Sequence, residues 1–302
     1  MKILFCGFLL CLTSGTIAQS RSSIDSLQLM RDIRTLSANK YEGRMAGSKG
    51  NRMAQFYILD RFKKAGLQPY HNTFEYPFYF KHGEKQIMGT NLFGYIKGTS
   101  NKTIVITAHY DHLGIAKDQA GKDSIYNGAD DNASGVGGLL ALISYFKNNP
   151  PAHTMIFAAL DGEEEGLQGA KAFVKTPPVP LTDIVLNINM DMISRNDKNE
   201  LYVCGLTPFP QLKPLVDNAI NPSGPIKLLA GHDRKEDGAQ NWLNQSDHYE
   251  FYKLKIPALY FGVEDHADYH KLSDEFEHIQ PAFYYQAVLQ IQKVVLQADR
   301  NL

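Results

Sequence analysis

The stretch Thr103-Ile104-Val105-Ile106-Thr107-Ala108-His109-Tyr110-Asp111-His112 is the most informative part of the chain. Its first six residues are β-branched or apolar without interruption, as in a strand that is buried on both faces of its sheet. Such a strand needs helices on both sides, which is typical of an α/β protein. Polar side chains follow directly, and open α/β sheets bind ligands at the carboxyl ends of their strands. The stretch therefore predicts an α/β fold and the edge of the sheet where a site lies.

Short apolar runs and amphipathic helices continue this pattern along the chain. Further strands are predicted at residues 154–160, 183–190 and 256–261, and helices at 24–36, 135–147, 167–175 and 281–298. Another helix should begin at Ser48, end at Gly66, and bury Met53, Phe56, Tyr57 and Phe62. Alternating aromatic residues at 74–80, followed by residues 91–96, predict an antiparallel pair whose rings belong to the core. We expect one α/β domain with a mixed, largely parallel central sheet and helices on both faces.

Composition excludes several classes of partner. Among 302 residues, 31 Lys and Arg against 32 Asp and Glu give a net charge of -1, so no broad basic field attracts nucleic acid or an anionic membrane. A hydrophobic content of 43% can fill a substantial core. A small neutral ligand or a peptide fits this composition better than nucleic acid does.

The first 18 residues have the features of a signal peptide. Lys2 precedes an apolar run at residues 3–12, and Thr16-Ile17-Ala18 provides a small-residue cleavage site. We expect residues 19–302 to form a soluble domain, exported to the periplasm or the extracellular space, with no membrane association after removal of the signal. Cys204 is then the only cysteine, and its apolar surroundings predict a buried thiol rather than a catalytic one.

Side chains suited to metal binding follow the predicted strands at several points. They are His109, Asp131, Glu164, Asp191 and His270. No Lys or Arg lies within these clusters to neutralise the acids, so a divalent cation is the natural counter-charge. Imidazole and carboxylate ligands favour zinc, although cobalt and manganese suit the same donors. Five ligands are too many for one three-ligand catalytic zinc but enough for two ions that share a carboxylate.

Several motifs carry a resemblance to a known family. They are Tyr41-Glu42-Gly43-Arg44-Met45-Ala46-Gly47-Ser48, Ala108-His109-Tyr110-Asp111-His112-Leu113-Gly114, Asn127-Gly128-Ala129-Asp130-Asp131-Asn132-Ala133-Ser134-Gly135, Gly162-Glu163-Glu164-Glu165-Gly166-Leu167-Gln168-Gly169, Asn189-Met190-Asp191-Met192, Ser246-Asp247-His248 and Tyr269-His270. In this order they resemble the co-catalytic zinc aminopeptidases, whose relatives include glutamate carboxypeptidase II, the transferrin receptor and the glutaminyl cyclases. The resemblance implies a zinc exopeptidase-like fold and two zinc ions per chain.

The resemblance also implies a role for each matching residue. His109 and Asp191 would bind one zinc, Glu164 and His270 the other, and Asp131 would bridge them. Glu163 would act as general base on a water shared by the metals and deliver the proton to the leaving amine.

Three kinds of supporting residue complete the expected site. Asp111 would hold the far nitrogen of the His109 ring. Tyr269 either donates to the oxyanion, as in some members, or packs beside a ligand. The remaining histidines would shape the cleft, and they are His112, His248 and His266.

The implied activity is that of an aminopeptidase, which removes the N-terminal residue of a peptide, and two rivals remain open. A glutaminyl cyclase would use one zinc, and Asp161-Gly162-Glu163-Glu164 resembles that branch, whereas residues 131–135 and 165–169 resemble the peptidases. A binding protein that has lost catalysis would show a substitution among the ligands or the base, and none is substituted. The absence of long inserted domains favours an aminopeptidase over a carboxypeptidase.

The loops at 196–200 and 230–244 are candidates for the pocket rim, with Trp242 either an aromatic wall or a structural residue.

Overall fold

The structure, a computed structural model, describes residues 23–116 and 124–302. The predicted signal peptide at residues 1–18 lies outside the described residues and stays a prediction. None of the described helices is both long and apolar enough to cross a membrane.

The described residues form ten strands and seven α-helices. The strands are β1 (Glu75–His82), β2 (Lys85–Ile96), β3 (Thr103–His109), β4 (Gly114–Ile115), β5 (Ile125–Tyr126), β6 (Thr154–Leu160), β7 (Ile184–Met190), β8 (Glu200–Cys204), β9 (Lys227–Ala230) and β10 (Ala258–Gly262). The helices are α1 (Ser26–Leu36), α2 (Lys49–Ala65), α3 (Gly135–Asn148), α4 (Gln168–Lys175), α5 (Lys213–Asp217), α6 (His248–Lys253) and α7 (Pro281–Asn301).

Eight of the strands form one mixed sheet in the order β1-β2-β6-β3-β7-β10-β8-β9. Its four central strands, β6, β3, β7 and β10, are parallel, so their carboxyl ends meet at one edge. Every residue of β3 and β6 is buried, as the uninterrupted apolar runs predict. The two-residue strands β4 and β5 pair separately beyond the end of β3.

Helices cover both faces of the sheet. On one face α3 packs against β3, β6 and β7, and α1, α2 and α7 pack on α3. On the other face α4 and α6 contact each other through the rings of Phe173 and Phe251, whose centroids lie 5.8 Å apart. The Phe173 ring also meets the ring of Phe93 in β2 at 5.2 Å. The predicted α/β fold with a mixed, largely parallel sheet is confirmed.

Local signals set the ends of α2 as predicted, but the predicted burial of one of its residues, Phe56, was wrong. The Ser48 hydroxyl accepts the Asn51 N–H at 3.1 Å, and Gly66 ends the helix with a left-handed φ of 71°. Phe56 is 57% exposed and lies under the guanidinium of Arg52. The inward face of this helix includes polar side chains. A prediction from apolar residues alone therefore places the buried face too far toward Phe56.

The predicted antiparallel pair is the β1–β2 hairpin, and its rings pack as expected. Phe80 is buried, and the ring of Tyr76 stacks on that of Phe93 at 3.7 Å. Strand β2 begins six residues earlier than predicted, at Lys85, because its exposed outer half lacks an apolar pattern. In β8 the Cys204 thiol is buried, as predicted, and burial raises its pKa.

A fully buried arginine connects three segments around the carboxyl edge of the sheet. The Arg44 guanidinium is 1% exposed and donates to the carbonyls of Leu36, Tyr110, Asn127 and Gly128 at 2.6–2.9 Å. Burial lowers its pKa to about 10, opposed by nearby carboxylates, of which Asp131 acts most strongly. Of these carbonyls, that of Gly128 also accepts the Ala133 N–H at 3.2 Å.

We expect Arg44→Met to lower the free energy of unfolding by roughly 3–5 kcal/mol, because four buried carbonyls each lose a hydrogen bond and nearby acids lose a counter-charge. Urea denaturation with a chelator present measures this without a contribution from bound metal. Arg31→Met is the matched control, since Arg31 is exposed and, among the described residues, its guanidinium bonds only to Gln28 in its own helix. Equal losses in the two variants would contradict a structural role for Arg44.

Candidate metal centre

The carboxyl edge of the parallel strands brings all the predicted metal ligands together. His109 is the last residue of β3, Asp191 directly follows β7, and Glu164 lies in the turn after β6. Asp131 belongs to an irregular helical turn that leads into α3, and His270 comes from the loop after β10. Topology alone explains this meeting, since parallel strands end at one edge and their loops converge there.

Asp131 lies between two pairs of ligand side chains. Its Oδ1 is 3.4 Å from His109 Nε2, which lies 3.2 Å from Asp191 Oδ1. Its Oδ2 is 3.1 Å from His270 Nε2, which lies 3.4 Å from Glu164 Oε2. Each carboxylate oxygen of Asp131 therefore faces one imidazole and one further carboxylate.

These distances fit shared cations better than direct hydrogen bonds. Two ligand atoms at ~2.0–2.1 Å from one tetrahedral zinc lie ~3.3 Å apart. The four separations around Asp131 span 3.1–3.4 Å. Asp131, His109 and Asp191 are also buried, and in the part of the chain that the structure describes no Lys or Arg lines the cleft beside them. The donors thus suit a divalent cation in type, spacing and charge.

The protonation of the site reflects this crowding of acids and imidazoles. Burial alone would lower the pKa of His109, but Asp191 and Asp131 hold it well above its usual value. Burial would raise the pKa of Asp131, whereas His112, His109 and His270 hold it well below its usual range. Asp131 therefore stays a carboxylate, the form in which two oxygens can each face a metal.

Glu163 lies beside this centre and differs from Asp131 in its ionisation. Burial raises the pKa of the Glu163 carboxyl well above its usual range, and the charges of Asp191 and Glu164 raise it further against the influence of His109. Its side chain lines the same cleft as the ligands. A carboxyl group whose pKa is raised in this way is suited to proton transfer.

Asp111 holds the backbone of both glutamates. Its carboxylate accepts the N–H of Glu163 at 3.1 Å and that of Glu164 at 3.3 Å. The expected contact with His109 is present but longer, because Nδ1 lies 3.7 Å from the Asp111 carboxylate and 3.3 Å from its carbonyl oxygen. Asp111 thus positions the Glu163-Glu164 turn as well as the histidine.

The three histidines predicted to shape the cleft differ in what they contact. His112 is buried and its Nδ1 lies 2.8 Å from Glu164 Oε1, so it orients that carboxylate and is itself near enough to bind a metal. His266 Nε2 lies 2.9 Å from Asp130. His248 is buried against the ring of Tyr260, away from the cleft surface. Of these three predicted cleft residues, only His112 contacts a candidate ligand.

A hydrogen-bonded chain from inside the sheet orients Asp191. The Ser246 hydroxyl donates to Asp191 Oδ2 at 2.8 Å and accepts from Asn189 Nδ2 at 2.9 Å. Asn189 Oδ1 in turn accepts from Thr107 at 2.6 Å. All of these residues are buried, so Asp191 is fixed by packed side chains rather than by water.

We expect Ser246→Ala to weaken zinc binding roughly 10–100-fold, because Asp191 loses the hydroxyl that fixes its orientation. Competition with a chromophoric chelator measures the change. Ser144→Ala is the control, since the Ser144 hydroxyl donates only within its own helix, to the Leu140 carbonyl. An unchanged zinc affinity in Ser246→Ala would contradict this orientation of Asp191.

Two further acids near the centre, Asp274 and Asp247, have surroundings that the sequence does not predict. Asp274 accepts the N–H groups of Asp130 and Asp131 at 2.9 and 3.0 Å, and so fixes the turn that carries the bridging position. Asp247 is buried without a hydrogen-bond partner among the described residues, and burial raises its pKa to about 7. Nothing in the spacing of Asp274 in the sequence indicates its contact.

The ligands open into a cleft of about 210 Å³. Trp242 and Gln245 line it, so the predicted rim loop at 230–244 does reach the site, whereas residues 196–198 of the predicted loop at 196–200 line a neighbouring depression. The ring of Tyr269, which also lines the cleft, stacks on that of His270 at 3.9 Å. A larger cavity of about 490 Å³ lies between the β1–β2 hairpin and α4, but the described residues around it include no group of candidate metal ligands. We therefore place the functional site in the smaller cleft.

Comparison with known proteins agrees with this geometry. Residues 91–295 match the family described as peptidase family M28. The chain belongs to peptidase family M28. The family is one of zinc-dependent metallopeptidases, and the matched residues of this chain include all five candidate ligands.

This M28 chain also resembles proteins of more than one activity. The alkaline phosphatase isozyme conversion protein of Escherichia coli is 28% identical over 171 residues, or 53% of this chain, which spans about half (50%) of that relative. A glutaminyl cyclase from Bacteroides thetaiotaomicron is similar with a TM-score of 0.73 and 17% identity, covering 93% of this chain and 99% of that one. A zinc aminopeptidase from Bacillus subtilis gives a TM-score of 0.70 at 16% identity, covering 91% and 96%. The fold is thus that of the zinc aminopeptidases and cyclases alike.

Proposed function

We propose that this M28 peptidase is an aminopeptidase that holds two zinc ions and removes the N-terminal residue of peptides. The observation that carries the proposal is the position of Asp131, whose two oxygens each face a separate imidazole–carboxylate pair. His109 and Asp191 would hold one ion, Glu164 and His270 the other, and Asp131 both. His112 would orient Glu164 from the buried side.

Three further residues at the site, Glu163, Asp111 and Tyr269, have roles in hydrolysis. Bound zinc lowers the pKa of water and polarises a carbonyl group. Glu163 takes a proton from the attacking water and delivers it to the leaving amine, and Asp111 holds the backbone of Glu163 for this transfer. The Tyr269 hydroxyl donates a hydrogen bond to the oxygen of the tetrahedral intermediate.

The size of the cleft supports action at a chain end. A volume of about 210 Å³ is smaller than the ~300–1,000 Å³ of pockets that bury a drug-sized ligand. One residue fits such a space, while a peptide bound through its middle needs an open groove on both sides of the scissile bond.

Peptides with free and blocked N-termini test this function. We expect the purified protein to release the first residue from free peptides, to leave N-acetylated peptides intact, and to lose activity with chelator until zinc is restored. Internal cleavage of blocked peptides would overturn the exopeptidase assignment. Ring closure of N-terminal glutamine without hydrolysis would instead assign a glutaminyl cyclase.

We propose in addition that the protein is exported to the periplasm or the extracellular space. Support comes from Lys2, the apolar run at residues 3–12 and the small residues before position 19. Fractionation of producing cells and N-terminal sequencing of the exported form test this, and a product retained inside the cell with residues 1–18 intact would contradict it.

A further inference from the structure

One wall of the cleft combines apolar surface with a free carboxylate. The apolar part consists of Met192, Trp242, Tyr260 and Val263, each with only a small exposed area that faces the cleft. Asp265 lies at the mouth, three residues beyond β10, and its side chain is exposed. A substrate side chain in this space therefore meets apolar atoms first and a negative charge at its end.

The apolar wall is rigid. The Trp242 ring stacks on His232 with centroids 3.6 Å apart and meets the edge of Tyr260 at 5.7 Å. The Val263 N–H donates to the Met192 carbonyl at 2.9 Å, which joins the two sides of the wall. A wall fixed in this way discriminates by shape without reorganising.

Asp265 has no counter-charge among the residues that the structure describes. The acids beside it are paired, since Glu264 lies 3.5 Å from Lys198, and Asp268 forms an ion pair with Arg195. Among residues 23–116 and 124–302, none forms a hydrogen bond or an ion pair with the Asp265 carboxylate. Its charge is available to a ligand.

Resting on the proposed aminopeptidase function, we propose that Asp265 gives the enzyme a preference for peptides whose first residue is Lys or Arg. These side chains have an apolar stem that suits the wall and a cationic end that suits the carboxylate. The α-amino group stays two bonds from the scissile carbonyl carbon, whereas a lysine ammonium extends roughly 6 Å from Cα, so the side chain is the part that reaches the mouth.

Aminoacyl coumarin amides of Lys, Arg, Met and Leu test the preference. Met is the neutral comparator for Lys because both are unbranched and of similar length. We expect the wild-type protein to give a higher kcat/KM for Lys than for Met, and Asp265→Asn to lower this ratio roughly tenfold through loss of a charge-assisted hydrogen bond. High salt should lower the wild-type ratio as well.

Glu264→Gln is the matched control, since it removes the same charge one residue away, where the carboxylate faces Lys198. We expect it to leave the Lys-to-Met ratio unchanged. A ratio unaffected by Asp265→Asn would overturn the proposal, and so would an equal loss on all four substrates, which would assign Asp265 to the α-amino group. Failure of the wild-type protein to hydrolyse any of the four contradicts the aminopeptidase function itself and is separate from these outcomes.

Discussion

Replacement of Glu163 by Gln is expected to lower kcat for peptide hydrolysis by roughly 10²–10⁴-fold, the contribution of a positioned general base. The amide keeps the size and position of the side chain but has no lone pair basic enough to accept the proton of water. Glu163 is not one of the side chains around Asp131, so zinc content should stay unchanged. Steady-state kinetics on a peptide substrate together with metal analysis of the same sample measures both quantities.

Glu165→Gln is the control for this substitution. Glu165 lies two residues away in the same turn, but its carboxylate faces His82 at 2.6 Å and does not line the cleft. We expect kcat to change less than twofold. Undiminished hydrolysis by Glu163→Gln would show that another group takes the proton, and a loss of zinc in that variant would show that Glu163 is a ligand.

Asp131→Asn should have a comparable effect by a different route. An amide offers one oxygen where the carboxylate offers two, so only one of the two imidazole–carboxylate pairs keeps its shared ligand. We expect zinc content to fall to one ion per chain or less and hydrolysis to fall at least 10²-fold, because attack then lacks the second metal. Metal analysis and kinetics on the same preparation measure both.

The neighbouring Asp130 provides the control. Its carboxylate binds the Ser194 hydroxyl and His266 rather than the ligands, so Asp130→Asn should keep its zinc even if it lowers stability. Retention of two zinc ions by Asp131→Asn would contradict the bridging position of Asp131.

The elements that the sequence predicts well are those whose pattern depends on their own residues. Strands β3 and β6 are apolar without interruption because both faces are covered, and their ends lie where the pattern stops. The candidate ligands follow such ends, so placing the strands also places His109, Glu164 and Asp191 at one edge.

The residues that the sequence does not reveal act through contacts between distant segments. Arg44 binds carbonyls up to 84 residues away, and Asp274 binds the N–H groups of a turn 144 residues earlier. Hydrophobic periodicity contains no information on such pairs, since it reports only which face of a segment is buried. For the same reason the apolar pattern predicts a buried Phe56, although the inner face of α2 includes Asn51 and Gln55.

For Asp111 the sequence predicts a supporting acid but not its contacts. A motif indicates that a carboxylate stands two residues from His109, but not which of its neighbours it contacts. The backbone of the turn after β6 approaches more closely than the imidazole ring does. Residue type and spacing therefore predict the presence of a supporting acid, while its partners depend on the packing of two loops.

The number of zinc ions bound per chain tests the proposed centre most directly. The protein is stripped with chelator, reloaded with excess zinc, freed of loosely held metal by gel filtration and analysed by inductively coupled plasma mass spectrometry. Two ions per chain are expected, because Asp131 offers one oxygen to each of two ligand pairs. One ion per chain in a sample that hydrolyses peptides at the full rate would contradict the two-metal centre.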